Sequence, residues 1–271
     1  MNRIDKVLAQ LQASGKKMLS PYITAGDPEP EMTVQLMHAL VEAGADILEL
    51  GIPFSDPMAE GPVIQEAMER ALEHGIHCGN VFAMVKAFRQ QDKDTPIVLM
   101  GYLNPIEQYG YQQFANDAQL CGVDGIIIVD LPPEESHEHA KCWQEAGIHN
   151  IYLCSPTTTD ERMQLINQYA RGYLYFVALK GVTGSDSFDL NSVRTIYQQR
   201  KEQTTLPLMV GFGIKTAEMA KSVAEFADGV IVGAALITEI QKAYQDHHDC
   251  LKSGAALIAG MRRAIDNGVA L

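Results

Sequence analysis

The chain has 271 residues, 46% hydrophobic and 20% charged, a balance that supports a sizeable core at a length where one α/β barrel or two small domains would fit. Its formal net charge of −13 argues against a broad basic surface for nucleic acid or anionic membrane, although a helix N-terminus can still hold a phosphate. Residues 1–17 read as an amphipathic helix and not a signal peptide, and no window reaches the roughly 18 apolar residues of a membrane span.

Five dispersed cysteines without a CxxC pair point to a reducing, cytoplasmic setting. His74/His77 and His247/His248 lack the Cys or carboxylate pattern of a zinc site, so no metal is expected.

The first helix starts at residues 4–11, with Ile4, Val7, Leu8 and Leu11 on one face. MLSPYIT (18–24) is the first strand, ended by the Gly26 and Pro28 turn. A helix over 29–43 stops at Gly44, and DILELG (46–51) is the second strand. An elaborated loop follows, with helical patterns near 63–74 and 80–91. PIVLMGY (96–102) is the third strand, followed by a helix over 111–121. DGIIIVDLP (124–132) is the fourth, with a helix over 133–146. NIYLCSP is the fifth, with a helix over 160–170. YLYFVAL (173–179) is the sixth, followed by the loop KGVTGSDS and a helix over 188–201. LPLMVGFG (206–213) and DGVIVGA (228–234) are the seventh and eighth, and a helical stretch runs to the C-terminus.

AGADILEL, CGVDGIIIVD and FADGVIVG share one cadence: an Asp just ahead of an apolar β run. Strands apolar on both faces, alternating with amphipathic helices, imply a parallel sheet buried on both sides. Eight such units fit a closed (β/α)8 barrel with an extra N-terminal helix, in a single domain over 1–271. An open doubly wound sheet is the alternative, weakened because no GxGxxG follows the first strand.

Barrel enzymes place their sites at the carboxyl ends of the strands. The polar residues there are Asp27, Glu49, Asp56, Glu60, Tyr102, Asn104, Asp130, Tyr175 and Thr183. Glu49 leads, because alternation turns it into the barrel while Leu48 and Leu50 face the helices, and a buried carboxylate has a raised pKa suited to proton transfer. A structural partner for Glu49 is the competing reading. Asp56 and Glu60 are as readily solvated loop residues, Tyr175 a packing aromatic, and Asp130 an acceptor for a turn. GVTG (181–184), GFG (211–213) and GAA (233–235) follow the last three strands, where barrels bind phosphate through backbone N–H groups. GVTGSDS also has the composition of a lid hinged on Gly181 and Gly184.

PYITAGDP, LELGIPFSDPMAEGP, MGYLNP, GVTG, GFGI and DGVIVGAA, in this order and spacing, resemble the α-subunit family of tryptophan synthase over nearly the whole chain. The resemblance implies a retro-aldol lyase that cleaves indole-3-glycerol phosphate to indole and glyceraldehyde 3-phosphate, without metal or cofactor of its own. It implies Glu49 as general acid/base, Glu60 as acceptor of the indole N–H proton, and Tyr175 as an aromatic at the substrate. Thr183, Gly184, Gly211, Gly213, Gly233 and Ala234 would form the phosphate loops, and Tyr22, Ile64 and Met100 would line the indole pocket. It further implies docking, through Asp56, Pro57, Asn104, Pro105 and Pro132, on a β subunit that carries pyridoxal phosphate, in an αββα heterotetramer.

Three positions depart from the family pattern: Glu60 stands where Asp is usual, Ala234 where Ser is common, and Leu179-Lys180 where an Arg precedes GVTG. Two other functions stay open at this level. One is a phosphate-ligand-binding activator of the β subunit without turnover; the other is a stand-alone lyase that releases indole.

Overall fold

The computed structural model describes residues 1–178, 190–211 and 213–268. Nine strands lie in it: β1 (Met18–Thr24), β2 (Leu48–Gly51), β3 (Ile97–Gly101), β4 (Gly125–Ile128), β5 (His149–Asn150), β6 (Tyr152–Cys154), β7 (Leu174–Val177), β8 (Leu208–Gly211) and β9 (Gly229–Val232). Every pairing is parallel, in the order β5-β4-β3-β2-β1-β9-β8-β7-β6. Only Ile151 separates β5 from β6, and its N–H bonds the Ile126 carbonyl at 3.0 Å. β5 and β6 are thus one expected strand that leaves β4 and joins β7 midway, which nearly closes the barrel. The eight-unit expectation holds, with its fifth strand broken at the seam.

The described residues form twelve α-helices: α1 (Arg3–Ser14), α2 (Thr33–Glu42), α3 (Pro62–Glu73), α4 (Cys78–Phe88), α5 (Leu103–Tyr109), α6 (Tyr111–Cys121), α7 (His137–Glu145), α8 (Asp160–Tyr169), α9 (Leu190–Lys201), α10 (Ala217–Ala224), α11 (Ala234–Gln245) and α12 (Cys250–Asp266). Three points differ from the sequence reading. Residues 103–109, given no element from the sequence, form α5, which tolerates Pro105 because it falls in the first turn, where no N–H is needed. The short α10, capped by the Thr216 hydroxyl, was not anticipated, and the C-terminal stretch is two helices and not one. The expected helices over 29–43 and 133–146 begin as 3-10 turns, Pro30–Met32 and Pro133–Glu135.

Strand alternation divides the core in two. Leu19, Ile23, Leu48, Leu50 and Leu99 pack outward against helices. Met18, Tyr22, Val98, Met100, Ile127, Tyr173, Met209 and Ile231 fill the barrel interior, and α1 contributes Ile4, Val7, Leu8 and Leu11 to the same cluster. Helix α1 is therefore the floor of the barrel. Its N-cap Asn2 accepts the Ile4 N–H, and the Asn2 amide also donates to the Asp124 and Gly147 carbonyls at 2.8 and 2.9 Å.

The repeated Asp ahead of three strands acquires a single structural role at this floor. Asp46, Asp124 and Asp228 each accept the N–H of the first or second residue of the preceding strand in the sheet: Leu19 at 2.8 Å, Ile97 at 2.9 Å and Leu208 at 2.8 Å. Each also meets a cation: Arg262 at 3.1 Å, Arg3 and Arg89 at 2.9 and 2.8 Å, and Lys201 at 2.7 Å. The motif is a strand clamp at the end of the barrel away from the strands' carboxyl termini.

Candidate active site

Glu49 is fully buried on β2, between the outward-facing Leu48 and Leu50. Its carboxyl group is held at one oxygen: the Tyr173 hydroxyl donates to Oε1 at 2.8 Å, while Oε2 has no hydrogen-bond partner. Burial pushes the carboxyl up to about 8, opposed by the Tyr173 hydrogen bond and by the Ser20 hydroxyl; the Glu60 charge pushes the same way as burial. Near pH 7 the group is mostly protonated, so it can give up a proton and then take one back.

Glu60 is half-buried at the end of the loop after β2, and burial raises its carboxyl to about 7. That loop is held from three directions. The Ala59 N–H donates to the Tyr102 hydroxyl at 3.1 Å, the Phe54 ring lies tilted against Tyr102 with centroids 5.4 Å apart, and the Gln65 amide donates to the Glu60 carbonyl at 2.9 Å. Gly61 then opens α3 with Pro62 in its first turn, which brings Val63 and Ile64 onto the Tyr22 and Met100 cluster.

Two glycines seat two tyrosines by the same device. Tyr22 pairs in register with Glu49, and a Cβ on Gly51, two residues further along β2, would lie 2.1 Å from the Tyr22 hydroxyl. Tyr175 pairs with Met209, and a Cβ on Gly211, again two further along, would lie 2.2 Å from the Tyr175 hydroxyl. Gly211→Ala is therefore expected to push the Tyr175 ring out of place. The overpacking should cost about 1–3 kcal/mol, and the KM for substrate should rise more than kcat falls. Thermal denaturation and steady-state kinetics check it; an unchanged KM would show that the Tyr175 seat does not touch substrate binding.

The candidate phosphate-loop positions that are described, Gly211, Gly213, Gly233 and Ala234, lie at or just after the ends of β8 and β9. Gly213 has a φ of 78°, a conformation that L side chains rarely adopt. Gly233 caps α11 without any side-chain hydrogen bond; its carbonyl accepts the Leu236 and Ile237 N–H groups at 2.9 and 3.1 Å, so the Ala234 and Ala235 N–H groups are the ones placed for an anion. A Cβ on Gly233 would come within 3.5 Å of Tyr22 and 3.7 Å of Ile64, so the helix N-terminus adjoins the apolar pocket residues. Thr183, Gly184, Leu179, Lys180 and the rest of the GVTGSDS loop lie outside the described residues.

Other candidates have structural partners. Asp130 accepts the Leu103 N–H at 2.8 Å, the turn role left open from the sequence. Asp27 is clamped by Arg70 at 2.6 and 3.2 Å. Asp56, beside Ser55 at 2.6 Å, is exposed, as are Met58 and Asn104; Pro105 and Pro132 are half-buried and Pro57 is buried. No group of three or more His, Cys, Asp or Glu side chains able to hold a metal occurs among the described residues, and no described helix is long and apolar enough to cross a membrane.

Tyr173 was missed from the sequence. Its signal was the period of two, which puts it on the same face as Tyr175. Tyr102 was singled out, but not its hold on the Glu60 loop. Two cavities, of about 260 and 350 Å3, lie under α1 and at the ends of β4 and β6. Neither is lined by Glu49 or Glu60, so the site is defined by side-chain geometry.

A nearly closed parallel barrel, with a fully buried carboxyl group inside it and glycine turns at the carboxyl ends of its strands, has the architecture of a barrel enzyme. The family description "Tryptophan synthase alpha chain" matches residues 8–266. A tryptophan synthase alpha chain of Legionella pneumophila (strain Lens) is 67% identical over 267 residues, covering 98% of both chains. The crystal structure of tryptophan synthase subunit alpha from Legionella pneumophila str. Paris superposes with a TM-score of 0.95 at 64% identity, over 98% of this chain and 99% of that one. A chain of tryptophan synthase from M. tuberculosis in an aminoacrylate-bound form does so with a TM-score of 0.86 at 30% identity, over 98% and 100%. The chain belongs to the tryptophan synthase alpha chain family.

Proposed function

We infer that this chain is the lyase subunit of a tryptophan synthase, cleaving indole-3-glycerol phosphate to indole and glyceraldehyde 3-phosphate. The observation that supports it most is Glu49: fully buried inside the barrel, held at one oxygen by Tyr173 and free at the other. Protonated Glu49 delivers its proton to indole C3, while Glu60 accepts the indole N–H and relieves the positive charge left on the ring. The Glu49 carboxylate then removes the proton of the adjacent side-chain hydroxyl. The C–C bond breaks with its electron pair returning to the indole ring, the alkoxide becomes the aldehyde, and Glu60 returns its proton to nitrogen. Protons and electrons balance without a metal or redox cofactor.

The substrate's two ends correspond to the two parts of the site. Tyr22, Ile64 and Met100 form an apolar floor for indole, and the α11 N-terminus with Gly211, Gly213, Gly233 and Ala234 holds the phosphate. Asp56, Pro57, Asn104, Pro105 and Pro132 face a β subunit that carries pyridoxal phosphate, in a cytoplasmic αββα assembly. The purified chain should release indole from indole-glycerol phosphate, faster with a β subunit present. Absence of indole under both conditions would overturn the reading.

A further inference from the structure

Two oxygens on adjacent strands in the barrel interior are buried without a hydrogen-bond partner: Ser20 Oγ and Glu49 Oε2. β1 pairs with β2 through Tyr22 and Glu49, so Ser20 sits two residues before Tyr22 on the same inward face. Both Ser20 and Glu49 are 0% exposed. The barrel interior to which they belong is filled by Met18, Val98, Ile127, Tyr173 and Met209. A buried hydroxyl left unpaired is destabilising. An orphaned hydroxyl beside an orphaned carboxyl oxygen is one feature and not two. Small side-chain adjustments would join them.

We propose that Ser20 is a positioning residue for Glu49, its hydroxyl engaging Oε2 while Tyr173 holds Oε1, so that the carboxyl's orientation and proton affinity are set for the lyase reaction. The proposal rests on the assignment of Glu49 as the acid–base residue. The titratable groups facing Glu49 are Tyr22 on β1, Tyr173 just ahead of β7, Tyr175 on β7 and Glu60 in the loop after β2. Burial pushes all three phenols upward, which leaves the two carboxyl groups to titrate near neutrality. Among the described residues, no cation is among the charges acting on Glu49. There the Ser20 hydroxyl stands with Tyr173 as a neutral donor opposing the effect of burial, because a hydrogen bond to the ionised form favours it.

Ser20→Ala and Ser20→Cys test this in the full chain with its β subunit; the Cys variant fills the volume but hydrogen-bonds weakly. Two readouts are taken across pH: kcat and KM, and the carboxyl C=O stretch by infrared difference titration, assigned with Glu49→Gln. In both variants the Glu49 titration and its limb of the rate profile should move to higher pH by about half to one unit, with KM changed less than about twofold. An unchanged titration in both variants overturns the proposal. So does a shift in Ala but not Cys, which would mark a cavity effect. Full activity in Glu49→Gln together with a shifted titration would support the pairing and overturn the catalytic assignment of Glu49.

Discussion

Glu49→Gln is expected to lower the turnover of indole-glycerol phosphate by about 10²–10⁴-fold, the typical worth of one positioned proton-transfer group. Gln keeps the shape and can still accept from Tyr173, but it neither delivers nor removes a proton. The KM should change little, since the apolar floor and the phosphate loops are untouched. The same substitution should stabilise the protein at alkaline pH. Burial raises the folded-state carboxyl from its ordinary 4.5 to about 8. The stability this contributes is fully present below the unfolded pKa and is lost as pH rises from about 4.5 to 8. Above that window the native protein holds a buried, ionised carboxylate, and Gln removes it. Scanning calorimetry at pH about 4.5 and 9 should show little difference at the first and a higher Tm for Glu49→Gln at the second, at about 2–4 °C per kcal/mol. Retained activity would remove Glu49 from the mechanism; an unraised Tm at alkaline pH would show that its carboxyl is not held in the low-dielectric environment described here.

Asp124→Ala is expected to cost about 3–5 kcal/mol, the largest stability loss of any clamp at the barrel floor. Asp124 is 3% exposed and receives Arg3, Arg89 and the Ile97 N–H. Its removal leaves Arg89, at 10% exposure, without its close counter-charge, and the first N–H of β3 unpaired. Arg89 keeps the Gly122 and Thr95 carbonyls at 3.0 and 2.7 Å, which orient the guanidinium but do not neutralise it. Asp228→Ala breaks the same motif where both charges are about one-third exposed. The ion-pair part of its loss should stay below about 1 kcal/mol, since solvent screens it. Urea denaturation of the two variants distinguishes burial from mere presence of the motif. Equal losses would show that the backbone bond, and not the charge, sets the strength of the clamp. Activity below the transition should persist in Asp124→Ala, because the change lies at the opposite end of the barrel from Glu49.

Much of the fold was legible because two signals are local. Apolar runs bounded by Gly and Pro marked each strand to within a few residues, and β1 coincided with residues 18–24. The repeated Asp was visible as a cadence, but its meaning was not. Clamping needs the N–H of a neighbouring strand 20 or 27 residues away, and no window of sequence contains that partner. Helix α5 was not assigned from the sequence: it is only seven residues long and carries Pro105, which a helix admits in its first turn. The break between β5 and β6 is a property of barrel closure and has no local cause in NIYLCSP.

The sequence by itself determined that Glu49 faces away from Leu48 and Leu50, since strand side chains alternate with a period of two. It also determined that the last strands end in glycine-rich turns and that the chain repeats one β/α unit. Tertiary structure alone decided how Glu49 is held: Tyr173 lies 124 residues away and meets it only across the closed barrel. It alone decided that Asp27 and Asp130 are occupied by Arg70 and the Leu103 N–H while Glu49 Oε2 is left free. The physical reason is that proton affinity depends on burial and on neighbours in space. Sequence supplies the carboxyl groups; closure of the barrel removes the water around them and chooses which oxygen remains unpaired.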